Sequence, residues 1–234
     1  MELTFLEESL TCCQNKEVPE TGILIAIEGI DGAGKTTQVQ LLGQALQTVG
    51  EEPVLSKEPT DGRWGQKIRE SAPNGRLPLG RELVAFIKDR RDHARETINP
   101  SLAEGHIVVL DRYFYSTIAY QGARGADRQE LVERMKKEFP LPDIVFLLDA
   151  DPVVTLARIA NGRKEEPNEF ERIDQLRAVR EVFNWLAETD NLIRKIDGHQ
   201  SIADVHCEIV ESLIDGPFKK YCAKPYECEC WPAC

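Results

Sequence analysis

Eight residues, Gly29-Ile30-Asp31-Gly32-Ala33-Gly34-Lys35-Thr36, constrain this chain more than any other stretch. They match G-x-x-x-x-G-K-[ST], and their context matters more than the match. The apolar run Ile23–Ile27 leads straight into them, and Thr37-Gln38-Val39-Gln40-Leu41-Leu42 continues as a helix. A strand, a glycine-rich turn and a helix start in that order form a phosphate cradle, the P-loop. Glycines let backbone N–H groups turn inward without a Cβ in the way, and the helix N-terminus adds partial positive charge. Lys35 then reaches β- and γ-phosphates, and the Thr36 hydroxyl is placed to ligate Mg2+. The nucleotide contacts expected are Gly29, Ile30, Asp31, Gly32, Ala33, Gly34, Lys35, Thr36 and Thr37.

Short apolar runs recur at Pro53–Ser56, Ile107–Leu110, Ile144–Leu148 and, more weakly, Leu192–Ile196. Continuous rather than alternating apolar residues mark strands covered on both faces. Helical stretches are expected at roughly 34–49, 64–72, 80–104, 128–138, 152–161, 169–190 and 201–214. Asp151-Pro152 offers a capping carboxylate and then proline at the first helical position. The alternation predicts an α/β fold of three layers, a P-loop NTPase architecture with a five-stranded parallel sheet flanked by helices. Residues 1–20 read as an extension, 21–215 as the domain, and 216–234 as a cysteine-rich tail.

Asp and Glu number 40 against 29 Lys and Arg, a net charge of -11. An acidic surface argues against nucleic acid or an anionic membrane as partner. No apolar run is long enough to span a bilayer, and residues 1–20 lack the basic and apolar regions of a signal peptide, so a cytoplasmic location is expected. Of seven cysteines, four (Cys222, Cys228, Cys230 and Cys234) crowd the tail. Metal binding, redox cross-linking and a plain unstructured tail all stay open for them, because the spacing misses the usual zinc pairs.

A P-loop by itself does not name a reaction. After the third strand comes Asp111-Arg112-Tyr113, then Ser116, then Ala119-Tyr120-Gln121-Gly122. With the loop, the Lys57-Glu58-Pro59-Thr60 turn and Phe86-Ile87-Lys88-Asp89-Arg90-Arg91, this series resembles the thymidylate kinases, across about residues 22–214. The resemblance implies transfer of the ATP γ-phosphoryl group to dTMP, with Mg2+, in a homodimer. A kinase for another monophosphate such as dUMP, or a P-loop switch, are the alternatives.

The roles carried by the resemblance are specific. Arg112 grips the dTMP phosphate, and Asp31 touches the acceptor's 3′-hydroxyl or else only shapes the loop. Phe86 stacks on thymine and Arg90 bonds its carbonyl, unless both merely pack. Ser116, Tyr120 and Gln121 line the acceptor site, and Glu58 anchors it. Asp111, at the C-terminal edge where ligands bind in such sheets, holds Mg2+ with Thr36 or else caps a helix. Some family members carry an arginine in the loop where this chain has Gly32. Members without it supply the cation from a lid, for which Arg158 and Arg163 are the candidates.

Overall fold

The computed structural model describes residues 22–72, 75–162 and 173–220. Five parallel strands form one sheet, β1 (Ile23–Glu28), β2 (Val54–Lys57), β3 (Ile107–Asp111), β4 (Ile144–Asp149) and β5 (Ile193–Asp197), in the order β2-β3-β1-β4-β5. The three central strands owe their place to composition: β1 is buried throughout, and β3 and β4 nearly so, whereas β2 and β5 expose polar positions at the edges. Because the chain leaves β1 toward β3 and β2 and returns on the other side to β4, a crevice opens at the C-terminal end of β1. The expected three-layer α/β architecture is present.

Helices cover both faces: α1 (Lys35–Thr48), α2 (Arg63–Ser71), α3 (Leu79–His93), α4 (Asn99–Ala103), α5 (Phe114–Gly122), α6 (Arg128–Glu138), α7 (Pro152–Gly162), α8 (Ile173–Thr189) and α9 (Ile202–Asp215). α7 starts as expected, with Asp151 accepting the Val153 N–H at 2.7 Å. Two expectations need correction. The single helix expected over 80–104 is broken by a π-helical turn, Ala94–Ile98, before α4 restarts. Pro100 has no N–H to return to the preceding turn, and a wider turn absorbs the lost bond. The second correction is α5, which the helical stretches named above omit. Its aromatic and β-branched residues favour strands, but burial of Phe114, Tyr115, Ile118 and Ala119 in the core overrides that preference.

A 3-10 turn, Pro217–Lys220, follows α9 and buries Phe218 in the core, so packing reaches past the boundary read at Asp215. The tail cysteines, residues 1–20 and the lid candidate Arg163 lie outside the described residues. Among the described residues no helix is long and apolar enough to cross a membrane.

Candidate active site

The loop after β1 has the shape its glycines foreshadow. Gly34, just before α1, adopts a left-handed backbone (φ 103°), and Gly32 another (φ 80°). A Cβ on Gly32 would stand 2.5 Å from the Thr155 carbonyl oxygen and against Ile159, so α7 closes the space that an arginine in the loop would need. Lys35 is buried, and its ammonium donates to the Ile30 carbonyl at 2.8 Å, bridging the loop. Burial, reinforced by the charge of Arg112, lowers its pKa to about 8, although Asp31, Asp111 and Glu28 pull the other way.

The Thr36 hydroxyl donates to Asp111 at 2.5 Å, so the two residues expected to share a cation stand together. Asp111 does not cap α5; Tyr113 occupies that position. A hydroxyl and a carboxylate, both hard oxygen donors beside a phosphate loop, suit Mg2+, which takes few protein ligands and completes its shell with phosphate and water. Among the described residues no cluster of three or more His, Cys, Asp or Glu forms a self-sufficient cage. A cavity of about 260 Å³ opens beside the pair, bordered by Ser56, Lys57 and Thr60.

Arg112 reaches into the loop from the end of β3. Its guanidinium pairs with Asp31, donates to the Ser116 hydroxyl at 3.1 Å and the Gly29 carbonyl at 3.3 Å, and lies over the Tyr120 ring at 5.3 Å. Asp31 in turn accepts from the Tyr120 hydroxyl at 2.9 Å. Burial works against the charge on Arg112, but Tyr120, Asp31, Asp111 and Glu28 outweigh it and hold the pKa above its ordinary value. The side chain is directed inward by a left-handed backbone at Arg112 itself (φ 71°), uncommon for a non-glycine residue and frequent at functional sites. Asp31, Arg112, Ser116 and Tyr120 thus converge, as expected.

Arg90 and Glu58 sit deeper. Arg90 is 1% exposed. It donates to Glu58 at 2.8 Å and to Thr117 at 2.8 Å, packs between the Tyr113 and Phe139 rings, and keeps only a long contact, 3.5 Å, from its other terminal nitrogen to the Met135 sulfur. His93 bonds the second Glu58 oxygen at 3.0 Å and Ser56 at 2.8 Å. Burial pushes Glu58 up, yet Arg90 and His93 outweigh it and hold the carboxyl below its ordinary range. Phe86, one turn before Arg90 on α3, is half-buried and stands outside the core cluster.

Gln121 is fully buried and donates to Glu82 at 2.9 Å. Glu82, also fully buried, binds Arg76 and Arg124 as well. Arg76, Arg124 and Tyr120 border a second cavity of about 380 Å³, closed on its far side by Asp174 and Val179. Arg158 stands apart from these groups: it donates to the Gly198 carbonyl at 2.9 Å and ties α7 to the loop after β5.

Glu28, Glu82, His93 and Thr117 were not foreseen. Only Glu28 carried a signal, as a charge ending an otherwise apolar strand; nothing local marks the rest.

Comparison with known proteins points to one family. A family model described as thymidylate kinase matches residues 27–209. Thymidylate kinase of Xanthomonas oryzae pv. oryzae is 45% identical over 201 residues, covering 85% of this chain and 88% of that protein. That of Xylella fastidiosa is 46% identical over 162 residues, 69% of this chain and 74% of its own. The crystal structure of thymidylate kinase from Ehrlichia chaffeensis superposes with a TM-score of 0.64 at 31% identity, covering 82% of this chain and 98% of that one. With a cation-bearing phosphate loop, an inward arginine at the end of β3 and agreement along most of its length, the chain belongs to the thymidylate kinase family.

Proposed function

We propose that this chain transfers the γ-phosphoryl group of ATP to dTMP, giving dTDP and ADP, with Mg2+ as cofactor. The observation that carries the reading is the Asp31–Arg112 ion pair, which joins the donor's phosphate loop to a turn placed for an acceptor phosphate. A nucleotide switch has no acceptor phosphate for that turn to hold.

Lys35 releases the Ile30 carbonyl and turns onto the β- and γ-phosphates, while the loop N–H groups hold the chain of phosphates. Arg112 turns its two-pronged donor to the dTMP phosphate and leaves Asp31 to accept from the 3′-hydroxyl. An acceptor phosphate oxygen attacks the γ-phosphorus in line, and the bond to the β-phosphate oxygen breaks. The acceptor is already anionic at neutral pH, so no strong general base is required. Charge spreads over three equatorial oxygens, which makes fixed cations the main source of rate. Mg2+ held by Thr36 and Asp111 would neutralise charge on the β- and γ-oxygens.

Phe86 offers a face to thymine. Arg90 is kept rigid by Glu58 and Thr117, and its loosely held terminal nitrogen is the donor available to the base carbonyl. Tyr120 packs against the sugar where a 2′-hydroxyl would stand, and Gln121 closes the base edge. With Arg158 engaged on Gly198, Arg163 is the lid cation this reading prefers. A homodimer, a cytoplasmic setting and a catalytic unit that begins near residue 21 and runs past 215 to include Phe218 complete the proposal.

The test is an ADP-release assay with ATP and Mg2+, comparing dTMP, dUMP, dCMP, dGMP and no acceptor. Turnover that depends on dTMP supports the reading. Preference for dUMP would reassign the substrate, and acceptor-independent hydrolysis would sink the kinase reading.

A further inference from the structure

Glu28 ends β1 one residue before the loop begins and has no exposed surface. Nothing in the transfer described above employs it. One carboxylate oxygen accepts the N–H of Tyr113 at 2.7 Å and of Ser116 at 3.0 Å. The other accepts the Ser116 hydroxyl at 2.6 Å. Tyr113 is the residue before α5 and makes no side-chain capping bond, so a carboxylate from a distant strand satisfies the N–H groups that open this helix. The Ser116 hydroxyl has one proton. Given to Glu28, it leaves the oxygen as an acceptor, and Arg112 donates to that oxygen at 3.1 Å.

We propose that Glu28 is a positioning residue for the phosphoryl transfer, fixing the Arg112–Ser116 turn against β1 so that Arg112 meets the acceptor phosphate at the proper distance from the phosphate loop. The inference rests on reading Arg112 as the ligand of that phosphate. Its force comes from connectivity: β1 carries the loop that holds the donor, and Glu28 is the side chain that ties that strand to the turn that holds the acceptor, beside the backbone bond from the Arg112 N–H to the Ile27 carbonyl at 3.0 Å. A displacement of about 1 Å between reacting groups is enough to lose on the order of a hundredfold in rate. The charge is also kept against resistance. Burial raises the Glu28 pKa to about 6 despite three hydrogen bonds and the attraction of Arg112. A buried charge that opposes folding is what a functional group retains and a mere helix cap does not need. Lys35 from α1, Arg112 from the turn after β3 and Tyr115 on α5 are the other ionisable groups that sense it.

The experiment compares the full-length enzyme with Glu28→Gln, Arg112→Lys and the double variant, measuring kcat and both KM values together with Tm. Glu28→Gln is expected to lower kcat/KM for dTMP by about 10- to 100-fold, the usual effect of losing an outer partner of a functional group. KM for ATP should stay within about twofold and Tm at pH 7 should not fall, since only the acceptor side is disturbed and a buried charge is removed. In the Arg112→Lys background the same change should cost less than about threefold, because residues that act through one another are not additive. Fully multiplicative losses, or equal damage to ATP and dTMP parameters in step with a lower Tm, would overturn the proposal. If Arg112→Lys alone left turnover of dTMP unchanged, the reading of Arg112 would itself fall, a result distinct from additivity. Should Glu28→Gln not fold, Ser116→Ala removes the oxygen between Glu28 and Arg112 while leaving Glu28 its backbone partners. It should show the same selective loss for dTMP, and an unaltered dTMP profile would overturn the proposal equally.

Discussion

The phosphate loop and the wall proposed to face the acceptor meet at Arg112, yet they are built on different principles. The loop is local and made of backbone: consecutive residues from Gly29 to Thr36, with left-handed glycines and a lysine folded onto a carbonyl of the same turn. The acceptor wall is distributed and made of side chains. Glu28, Glu58, Glu82, Arg90, Arg112, Thr117 and Gln121 come from four separate segments and are held by buried charge pairs and hydrogen bonds. A triphosphate is the same in every ATP-using protein, and a fixed backbone cradle serves it. A particular base and sugar need donors and acceptors at particular points, and long side chains reach those points only if other side chains stiffen them. Buried ionic networks serve this end without adding much stability, because desolvation offsets most of the attraction.

The contrast can be broken at its centre. Lys35→Ala should lower kcat by about 10²- to 10³-fold and raise KM for ATP, whereas Arg112→Ala should lower kcat similarly and raise KM for dTMP. Steady-state kinetics with each substrate varied separately would read this, and the same KM moving in both variants would mean the two regions are not divided as described. Next in size, Glu58→Gln leaves Arg90 buried without a full counter-charge and should destabilise the fold by about 3 kcal/mol at pH 7 in denaturant unfolding. Because Glu58 is held below its ordinary value, that contribution is present above the unfolded value of 4.5 and fades as pH falls through the folded one, so wild type and variant should converge in acid. A difference that persisted unchanged at low pH would show that packing, not charge, holds Arg90.

A smaller effect separates free from bound loop. Lys35 loses its proton as pH rises through about 8, so kcat/KM for ATP should decline above that pH. Bound phosphates favour the charged form, so kcat itself should decline only at higher pH. Identical profiles for the two parameters would argue that Lys35 is not what titrates. Smallest of all, Arg95→Ala removes exposed pairs to Asp92 and Glu96 and should leave Tm unchanged, since surface pairs contribute little. A measurable drop there would blur the distinction between buried and solvated charge on which the comparison rests.

The same division decides what could be read before the structure. The loop was legible because its chemistry needs contiguous residue types at fixed spacing, and the sheet because β1, β3 and β4 are continuous apolar runs. Asp111, Arg112, Ser116 and Tyr120 were found through the resemblance; of these, Arg112 and Tyr120 bond Asp31, Ser116 bonds Arg112, and Asp111 bonds Thr36. The partners of the wall were not legible. Glu82 opens α3 like any acidic residue in a first turn, and only folding brings it to Arg76, Gln121 and Arg124. α5 was missed because its residues favour strands, and the N-terminal partner that helps to open it, Glu28, lies 85 residues before Tyr113, beyond any local pattern.

The close approach of α7 to Gly32 limits more than the shape of the loop. In this chain the Thr155 carbonyl occupies the room that a side chain on residue 32 would need. A side chain on residue 32 would therefore need α7 to retreat, and the left-handed backbone there would strain it as well. The residue at 32 and the seat of α7 are thus coupled, so a single backbone oxygen decides that the loop carries glycine there.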